Sequence, residues 1–573
     1  MILKDLSLRV SLIWLAAVLT LIIVSRMSSL DVAAWNMDEG VTAAVAESII
    51  DGGIPYRDVV DHRGPATYYV YAAWFRMVGG DGLTKMRSLQ VALMIVVAAL
   101  AIGVYALGKM AGGNRTGVLA VFWFAIITSN GWPGDVRAFH TEWVLALGSL
   151  LGVLLLLKAL PERKLWLVFF SGVSFGFAFT AKQPAAMDLV AASCLIVINV
   201  FFPADGSGSL SVRTRWRSLI RCFLSMGLGF LVLPLAMASY LYSQGAWTDF
   251  ITWFWRYNTE FYMPFVSGAD RLQAFFLPWS GHMVSDQPFS FVPLGIGMLW
   301  GLILLARKRA GALKSMGQLD WSGRIRLFAG IWLFFGWLAA NLSGRDFGHY
   351  LIQLFVPLAL VSGITLNSLI IHFADWYEAH RQNNGKAYSP TPLNVALMTL
   401  AIAAVLLANP FMKRPEQGWP QLAYLDLPDT MPMDLANFLK ERTRPDERIW
   451  VWGWLSSVYV LAERQSASRF IYCSFLSGLV PWVNVDDDPP LSTEYPGAWD
   501  MWEADMAAHP PAYIVDMAVG DRHFWFRYGI EYYPRLNKFI TEHYTEEGVF
   551  RVQSSGGQDY VPYFRIYRRN KAE

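Results

Sequence analysis

About eleven apolar stretches recur between residues 9 and 411, each near the length an α-helix needs to cross roughly 30 Å of hydrocarbon. In lipid no water satisfies the backbone, so a chain patterned this way folds as a bundle of helices whose hydrogen bonds close within each segment. The expected spans are 9–27, 86–108, 116–132, 142–160, 165–181, 184–202, 219–243, 290–306, 327–343, 351–373 and 392–411. Composition agrees, with 54% hydrophobic and 16% charged residues, the balance of a polytopic α-helical membrane protein. The first stretch follows Lys4 and Arg9, lacks a small-residue cleavage site and is too long for a removable signal, so it reads as a retained helix.

Basic residues fall on alternate connections: Lys109 and Arg115, Arg163 and Lys164, Arg213, Arg215 and Arg217, Arg307 to Lys314, and Arg381 with Lys386. An excess of Lys and Arg marks the cytoplasmic face. The connections at 28–85 and 244–289, and everything after 411, are therefore expected outside the cytoplasm, in a multi-pass protein of the cytoplasmic membrane. A net charge of +2 argues for no nucleic-acid or strongly acidic partner. Three cysteines without a CxxC pair give no disulfide framework and no thiolate metal site. No repeat period is visible, and "PADGSGSLS" (203–211) reads as a small flexible loop.

The connection at 28–85 is too long for a simple turn and must carry structure of its own. Asp38 is placed to cap a helix through "EGVTAAVAESII", lying along the membrane surface and ending at Asp51 and the glycines after it. A second helix starts after Gly64 and Pro65 and carries Tyr68, Tyr69, Tyr71 and Trp74, an aromatic face suited to the interface. Residues 1–411 thus form a membrane domain, 412–429 a Pro-rich linker, and 430–573 an extracytoplasmic α/β domain. In that domain "RIWVWG", "SRFIY", "AYIVDM" and "YFRIYRR" read as strands, and "LSSVYVLAE", "AWDMWEADMAAH" and "RLNKFITEHY" as helices.

The chemistry gathers at the outer ends of the spans. Asp38 and Glu39 are explained equally by a helix start and by a base that takes a proton from an attacking hydroxyl or amine. Arg63, Arg137, Lys182 and Arg345 lie on four different outer connections. Snorkelling explains any single one, whereas together they would bind a phosphate diester. Asp61, His62, Glu142, Arg256, His349 and Tyr350 complete a candidate substrate pocket. A carboxylate such as Glu142 facing lipid would cost about 2.5–3.5 kcal/mol, so it should face a polar cavity. Arg256, among the aromatics of "FWRYNTEFYMPF", fits a sugar site or an interfacial belt equally well. Asp61, His62 and His349 are chemically able to share a divalent metal, but no HExxH or DxD spacing supports it, and no metal ligand or cofactor is assigned.

The ordered set "MDEG", "IPYRDVVDHRGPATYYVYAAWF", "HTEWVLALGSLLG", "GVSFGFAFTAKQPAAMDL" and "GRDFGHYLIQLFVPLAL", over about residues 30 to 370, resembles the GT-C membrane glycosyltransferases. The similar branch holds the dolichyl-phosphate-mannose protein mannosyltransferases and the aminoarabinose transferase of lipid A. The resemblance implies a GT-C fold, a polyprenyl-phosphate sugar donor, inversion at the transferred sugar, and a lipid, glycan or protein acceptor in the cell envelope, as in lipopolysaccharide or protein glycosylation. It also implies that Asp38 is the catalytic acid residue, Glu39 its neighbour, and Lys182 and Arg345 donor-phosphate ligands. Arg63 stands where relatives carry lysine, and the oligosaccharyltransferase "WWDYG" signature is absent. The competing class is a secondary transporter or lipid flippase of envelope precursors. No inverted repeat or matched pair of broken helices speaks for it.

Overall fold

The computed structural model describes residues 5–130, 133–201, 211–262, 268–269, 295, 320–345, 347–384, 431–479, 494–518, 529–553 and 560–570. The helices in chain order are α1 (Leu8–Arg26), α2 (Met37–Ile50), α3 (Pro65–Val78), α4 (Gly82–Gly112), α5 (Asn114–Asn130), α6 (Pro133–Val136), α7 (Thr141–Glu162), α8 (Leu165–Ala181), α9 (Ala186–Phe201), α10 (Val212–Ser243) and α11 (Trp247–Phe250). A π-helix, Ile251–Tyr262, follows, then α12 (Trp321–Asn341) and α13 (Ile352–Asn384). Among the described residues, 7 helices are long and apolar enough to cross a membrane, and the shorter apolar α8 lies among them. The expected spans fall on α1, α4, α5, α7 to α10, α12 and α13. Those at 290–306 and 392–411 lie outside the described residues.

Helix α8 packs between α7 and α10, and α13 between α5 and α12. The outward rows, such as Ile95 and Ile102 on α4 and Leu224 and Leu228 on α10, are exposed as lipid-facing surface would be. Lipid tails are as apolar as these side chains, so cohesion inside the bundle needs close packing and polar contacts. Asp188 on α9 supplies one. Its carboxylate accepts from Ser149 Oγ of α7 (2.7 Å), Trp332 Nε1 of α12 (2.8 Å) and Gln353 Nε2 of α13 (3.1 Å). Three donors satisfy a charge that hydrocarbon would otherwise expel.

Two expectations for the first long connection change. The N-cap of α2 is Asn36, whose side chain accepts the Asp38 N–H at 3.0 Å, so Asp38 is not the cap and its carboxylate is free for other partners. The expected aromatic face of α3 divides: Tyr69 and Trp74 are partly exposed, whereas Tyr68 and Tyr71 are fully buried. The Tyr68 hydroxyl donates to Asp61 and the Tyr71 hydroxyl to the Phe139 carbonyl, partners that an interfacial belt would not supply.

The C-terminal part contains α14 (Met431–Arg442), α15 (Ser457–Leu461), α16 (Ser474–Ser477), α17 (Ala498–Ala508), α18 (Pro534–His543) and a four-stranded sheet. The strands β1 (Ile449–Trp452), β2 (Tyr513–Asp516), β3 (Tyr544–Gln553) and β4 (Tyr560–Arg569) are ordered β1-β2-β4-β3. β1 and β2 run parallel with Val451 opposite Val515, while β4 is antiparallel to both its neighbours. "SRFIY" is not a strand of this sheet. Its backbone pairs outward instead, Val60 N–H donating to the Arg469 carbonyl at 2.8 Å beside a Val60–Phe470 bridge. The first long connection thereby takes up backbone groups that an edge would leave open.

Candidate active site

Asp38 sits in the first turn of α2, 25% exposed, with Oδ1 accepting from Arg63 Nη2. Glu39, the next residue, is buried on another face. Its carboxylate accepts the Trp35 N–H (2.9 Å), the Phe139 N–H (3.0 Å) and Gln90 Nε2 (3.2 Å). The reach back to Trp35 is like the return half of a capping box. Burial pushes the Glu39 carboxyl up to about 7 against the pull of those two backbone donors. The adjacent acids thus divide: Glu39 fastens the helix start, and Asp38 stays partly exposed.

"DHRGP" reaches Asp38 because of Gly64. A Cβ there would lie 2.3 Å from the Thr180 carbonyl oxygen and 2.4 Å from that of Ala181, so only glycine lets this loop rest on the end of α8. Arg63 is thereby set close to Lys182. Asp61, with no exposed side-chain surface, accepts from Arg63 Nη1 at both oxygens (3.0 and 2.9 Å), from Tyr68 Oη (2.7 Å) and from Tyr472 Oη (2.8 Å). Burial alone would raise the Asp61 carboxyl, yet Arg63, His62 and Tyr68 together hold it lowered. Arg63 therefore bridges two carboxylates, one a buried strut and one open to the cavity.

On the far side of Asp38, the His140 and His349 rings stack at 4.4 Å and 9°. His140 Nδ1 and His349 Nε2 each lie 3.9 Å from Asp38 Oδ2, and His349 Nδ1 lies 3.3 Å from Asp135 Oδ1. Burial pushes His140 down to about 4, so it is neutral near pH 7. Burial also works to raise Asp38, but the Arg63 charge, joined at acid pH by those of protonated His349, His140 and His62, outweighs it and holds the carboxyl well below its usual range. Glu142, on the first turn of α7, accepts from Lys182 Nζ and lies 3.9 Å from His349 Nε2. Lys182 Nζ stands 3.9 Å over the Tyr350 ring. The Arg345 guanidinium lies 3.6 Å over the Tyr262 ring and donates through Nη2 to the Tyr262 carbonyl. Its Nε and Nη1 are buried and find no acceptor among the described residues.

Asp38, Asp61, His62, Arg63, Glu142, Lys182, Arg345, His349 and Tyr350 therefore form one contiguous array at one end of the bundle. Three expected residues stand apart. Arg137 binds Ser28 Oγ (3.1 Å), Ser29 Oγ (2.9 Å) and the Ser25 carbonyl (2.9 Å), anchoring the end of α1. Arg256 is exposed, although the next residue of the π-helix, Tyr257, is buried. Glu39 has the anchoring place described above. Tyr68 was expected on an interfacial face rather than in the site, and Asp135, Tyr262 and Tyr472 were not expected there from the sequence. Asp135 lies two residues before the expected site residue Arg137 and Tyr262 in "FWRYNTEFYMPF", whereas Tyr472 carries no signal beyond its strand-like surroundings.

Asp38, His140 and His349 each offer a ligand atom, all within 4.8 Å of one another. Asp61 is unsuited to ligation, its oxygens being taken by Arg63, Tyr68 and Tyr472.

The family model for dolichyl-phosphate-mannose-protein mannosyltransferase matches residues 62–203, which include His62, Arg63, His140, Glu142 and Lys182. Among solved structures, ArnT from Cupriavidus metallidurans bound to undecaprenyl phosphate superposes with a TM-score of 0.56 at 13% identity, covering 98% of this chain and 98% of that one. The chain has the GT-C fold. The apo oligosaccharyltransferase of Archaeoglobus fulgidus is also similar, with a TM-score of 0.50 at 13% identity over 98% of this chain and 75% of that one. No curated protein sequence matches the chain. The GT-C likeness runs through the helical bundle and on into the C-terminal sheet.

Proposed function

We propose that this GT-C protein is an inverting glycosyltransferase that moves a sugar from a polyprenyl-phosphate carrier to a lipid, glycan or protein acceptor on the outer face of the cytoplasmic membrane. The observation that carries the reading is Arg345. Its two buried donors without acceptors stand in the same array as Lys182 and the ionised Asp38 carboxylate, the complement a phosphate diester and an attacking nucleophile require. The family description names a dolichyl-phosphate sugar, and the ArnT structure holds undecaprenyl phosphate. The basic residues of Lys109, Arg163 and Lys164 lie at the opposite ends of α4 and α7 from this array, which supports an outward-facing site.

In this reading the acceptor oxygen or nitrogen attacks the anomeric carbon from the face opposite the phosphate. The carbon–oxygen bond to phosphate breaks, and the polyprenyl phosphate leaves with its charge met by Arg345 and Lys182. Asp38, held below the ordinary carboxylate range, is a weak base toward a neutral hydroxyl. It accepts the proton late, once bond formation has made the nucleophile strongly acidic. Arg63 keeps Asp38 ionised and oriented, and Glu39 fixes the helix turn that presents it.

A divalent metal belongs to the same proposal. One carboxylate and two imidazoles make a fitting donor set, and Asp135 accepting from His349 Nδ1 leaves Nε2 bare for ligation. Such an ion would supply positive charge for phosphate oxygens. Purified protein stripped with EDTA should then lose most activity, regain it with Zn²⁺ or Mn²⁺, and show one metal per chain by elemental analysis. Full activity in the metal-free protein removes the ion from the reading.

The function is tested directly by mass spectrometry of a deletion strain and by turnover in vitro. The mutant should accumulate a polyprenyl-phosphate sugar, and the purified protein should consume that lipid and release polyprenyl phosphate. Absence of both defeats the proposal.

A further inference from the structure

We infer that the C-terminal part completes the candidate active site through Tyr472, a positioning residue that holds the His62 imidazole with a bare Nε2, as hydrogen-bond acceptor for a hydroxyl of the transferred sugar. The inference rests on the function proposed above.

The C-terminal part is fastened to the helices that carry the site. A Cβ on Gly40, two residues after Asp38, would lie 2.8 Å from the Ser457 nitrogen, and one on Gly82 would lie 1.9 Å from the Val460 carbonyl oxygen, so α15 lies directly against α2 and α4. The Gly82 N–H donates to Glu463 Oε1 at 3.2 Å, and Gln465 Nε2 to Asp51 at 2.9 Å. The backbone pairing of Val60 with the 469–470 stretch sets the register of the next residues. Tyr472 consequently reaches the "DHR" turn.

The proton count at Tyr472 follows from its partners. Asp61 is kept ionised by Arg63 and can only accept, so the phenol must donate to Asp61 Oδ1 at 2.8 Å. Its oxygen then accepts from His62 Nδ1, 3.2 Å away. That assigns the Nδ1–H tautomer and leaves Nε2 with its lone pair and no partner among the described residues. The ring stands 17% exposed. It lies 4.8 Å from the ring of Tyr262, which also carries Arg345, so a sugar attached to a phosphate at Arg345 would come within reach. Tyr257 at 5.6 Å and Phe475 of α16 at 6.4 Å complete an aromatic wall of the kind that packs on sugar rings.

The groups facing His62 are Asp61 and Arg63 on its own loop, Asp38 on α2, Lys182 beyond α8, Tyr257 and Tyr262 on the π-helix, and Tyr472. Burial pushes His62 down to about 4 and keeps it neutral. In Tyr472→Phe the His62 Nδ1–H loses its phenol acceptor and turns to Asp61, whose Oδ1 is already 3.4 Å from Nδ1. A direct pair with the carboxylate favours the imidazolium, in which Nε2 becomes a donor and the acceptor function is lost.

Two measurements on the full-length protein in nanodiscs test this. ¹⁵N NMR of histidine-labelled protein, with the signal assigned by its loss in His62→Gln, should give a neutral Nδ1–H tautomer from pH 5.5 to 8 in the wild type. In Tyr472→Phe the same signal should shift with pH within this range. The donor KM of Tyr472→Phe should rise about 5- to 20-fold from pH 8 to pH 6, and His62→Gln/Tyr472→Phe should show no such pH dependence. An Nε2–H tautomer in the wild type, or a Tyr472→Phe protein whose histidine signal and KM ignore pH, overturns the inference. The NMR arm stands without turnover, so failure of the wild type to use a lipid-linked sugar would count against the proposed function alone.

Discussion

Asp38→Asn is expected to lower kcat for sugar transfer by about 10²- to 10⁴-fold, the range supplied by a positioned proton acceptor. Asparagine has the same shape, and Arg63 keeps both of its bonds to Asp61, so the loop should stay in place. With metal content unchanged, donor affinity should change little, because Lys182 and Arg345, the proposed phosphate ligands, are untouched. Release of polyprenyl phosphate gives kcat, and a donor-induced rise in melting temperature gives binding. Elemental analysis of the variant separates lost proton acceptance from lost metal. The wild type carries a further pH signature. Its active form is the carboxylate, and a lowered pKa preserves that form to more acid pH, so Asp38 should cause no loss of rate between pH 8 and pH 5. Undiminished transfer by Asp38→Asn would exclude Asp38 from the mechanism.

The membrane helices were legible because hydropathy over a span is a sum of many residues, and a sum tolerates local exceptions. The site was legible only in part. Lys182, Arg345 and Glu142 declared themselves as charges at span ends, where burial in a polar cavity was the inexpensive explanation. Asp38 looked like a helix cap because the true cap, Asn36, lies two residues earlier and competes for the same reading. Arg137 carried the same signal as Lys182 yet anchors serines at the end of α1, a distinction that depends on which way a short turn points. Tyr472 could not be found from local pattern, since its partners His62 and Asp61 lie 410 and 411 residues away in the chain. The missed β3 has a local cause. "TEEGVFRVQ" breaks alternation with two glutamates and a glycine, and the strand pairs with β4 across a register shift between Glu546 and Gly548.

Arg345→Ala should weaken donor use far more than it weakens the protein. The side chain makes one bond to a carbonyl and rests on Tyr262, while Nε and Nη1 meet no acceptor, so most of its hydrogen-bonding capacity is held for a ligand. Charge-assisted bonds of this type are worth about 1.5–3 kcal/mol, corresponding to a rise in donor KM of about 10- to 150-fold. Arg345→Lys should recover only a fraction, because an ammonium cannot present the planar fork. Lys182 gives the contrast that makes the result interpretable. It is paired with Glu142, which is 3% exposed, so Lys182→Met strands a buried carboxylate and should cost about 3–5 kcal/mol of stability as well as donor affinity. Adding Glu142→Gln should restore the stability without restoring the affinity. Thermal unfolding and donor KM, measured across Arg345→Ala, Lys182→Met and the Glu142→Gln/Lys182→Met double variant, separate the two roles. A donor KM unchanged in Arg345→Ala would mean that its open donors serve something other than the phosphate, and the carrier would have to bind elsewhere on the protein.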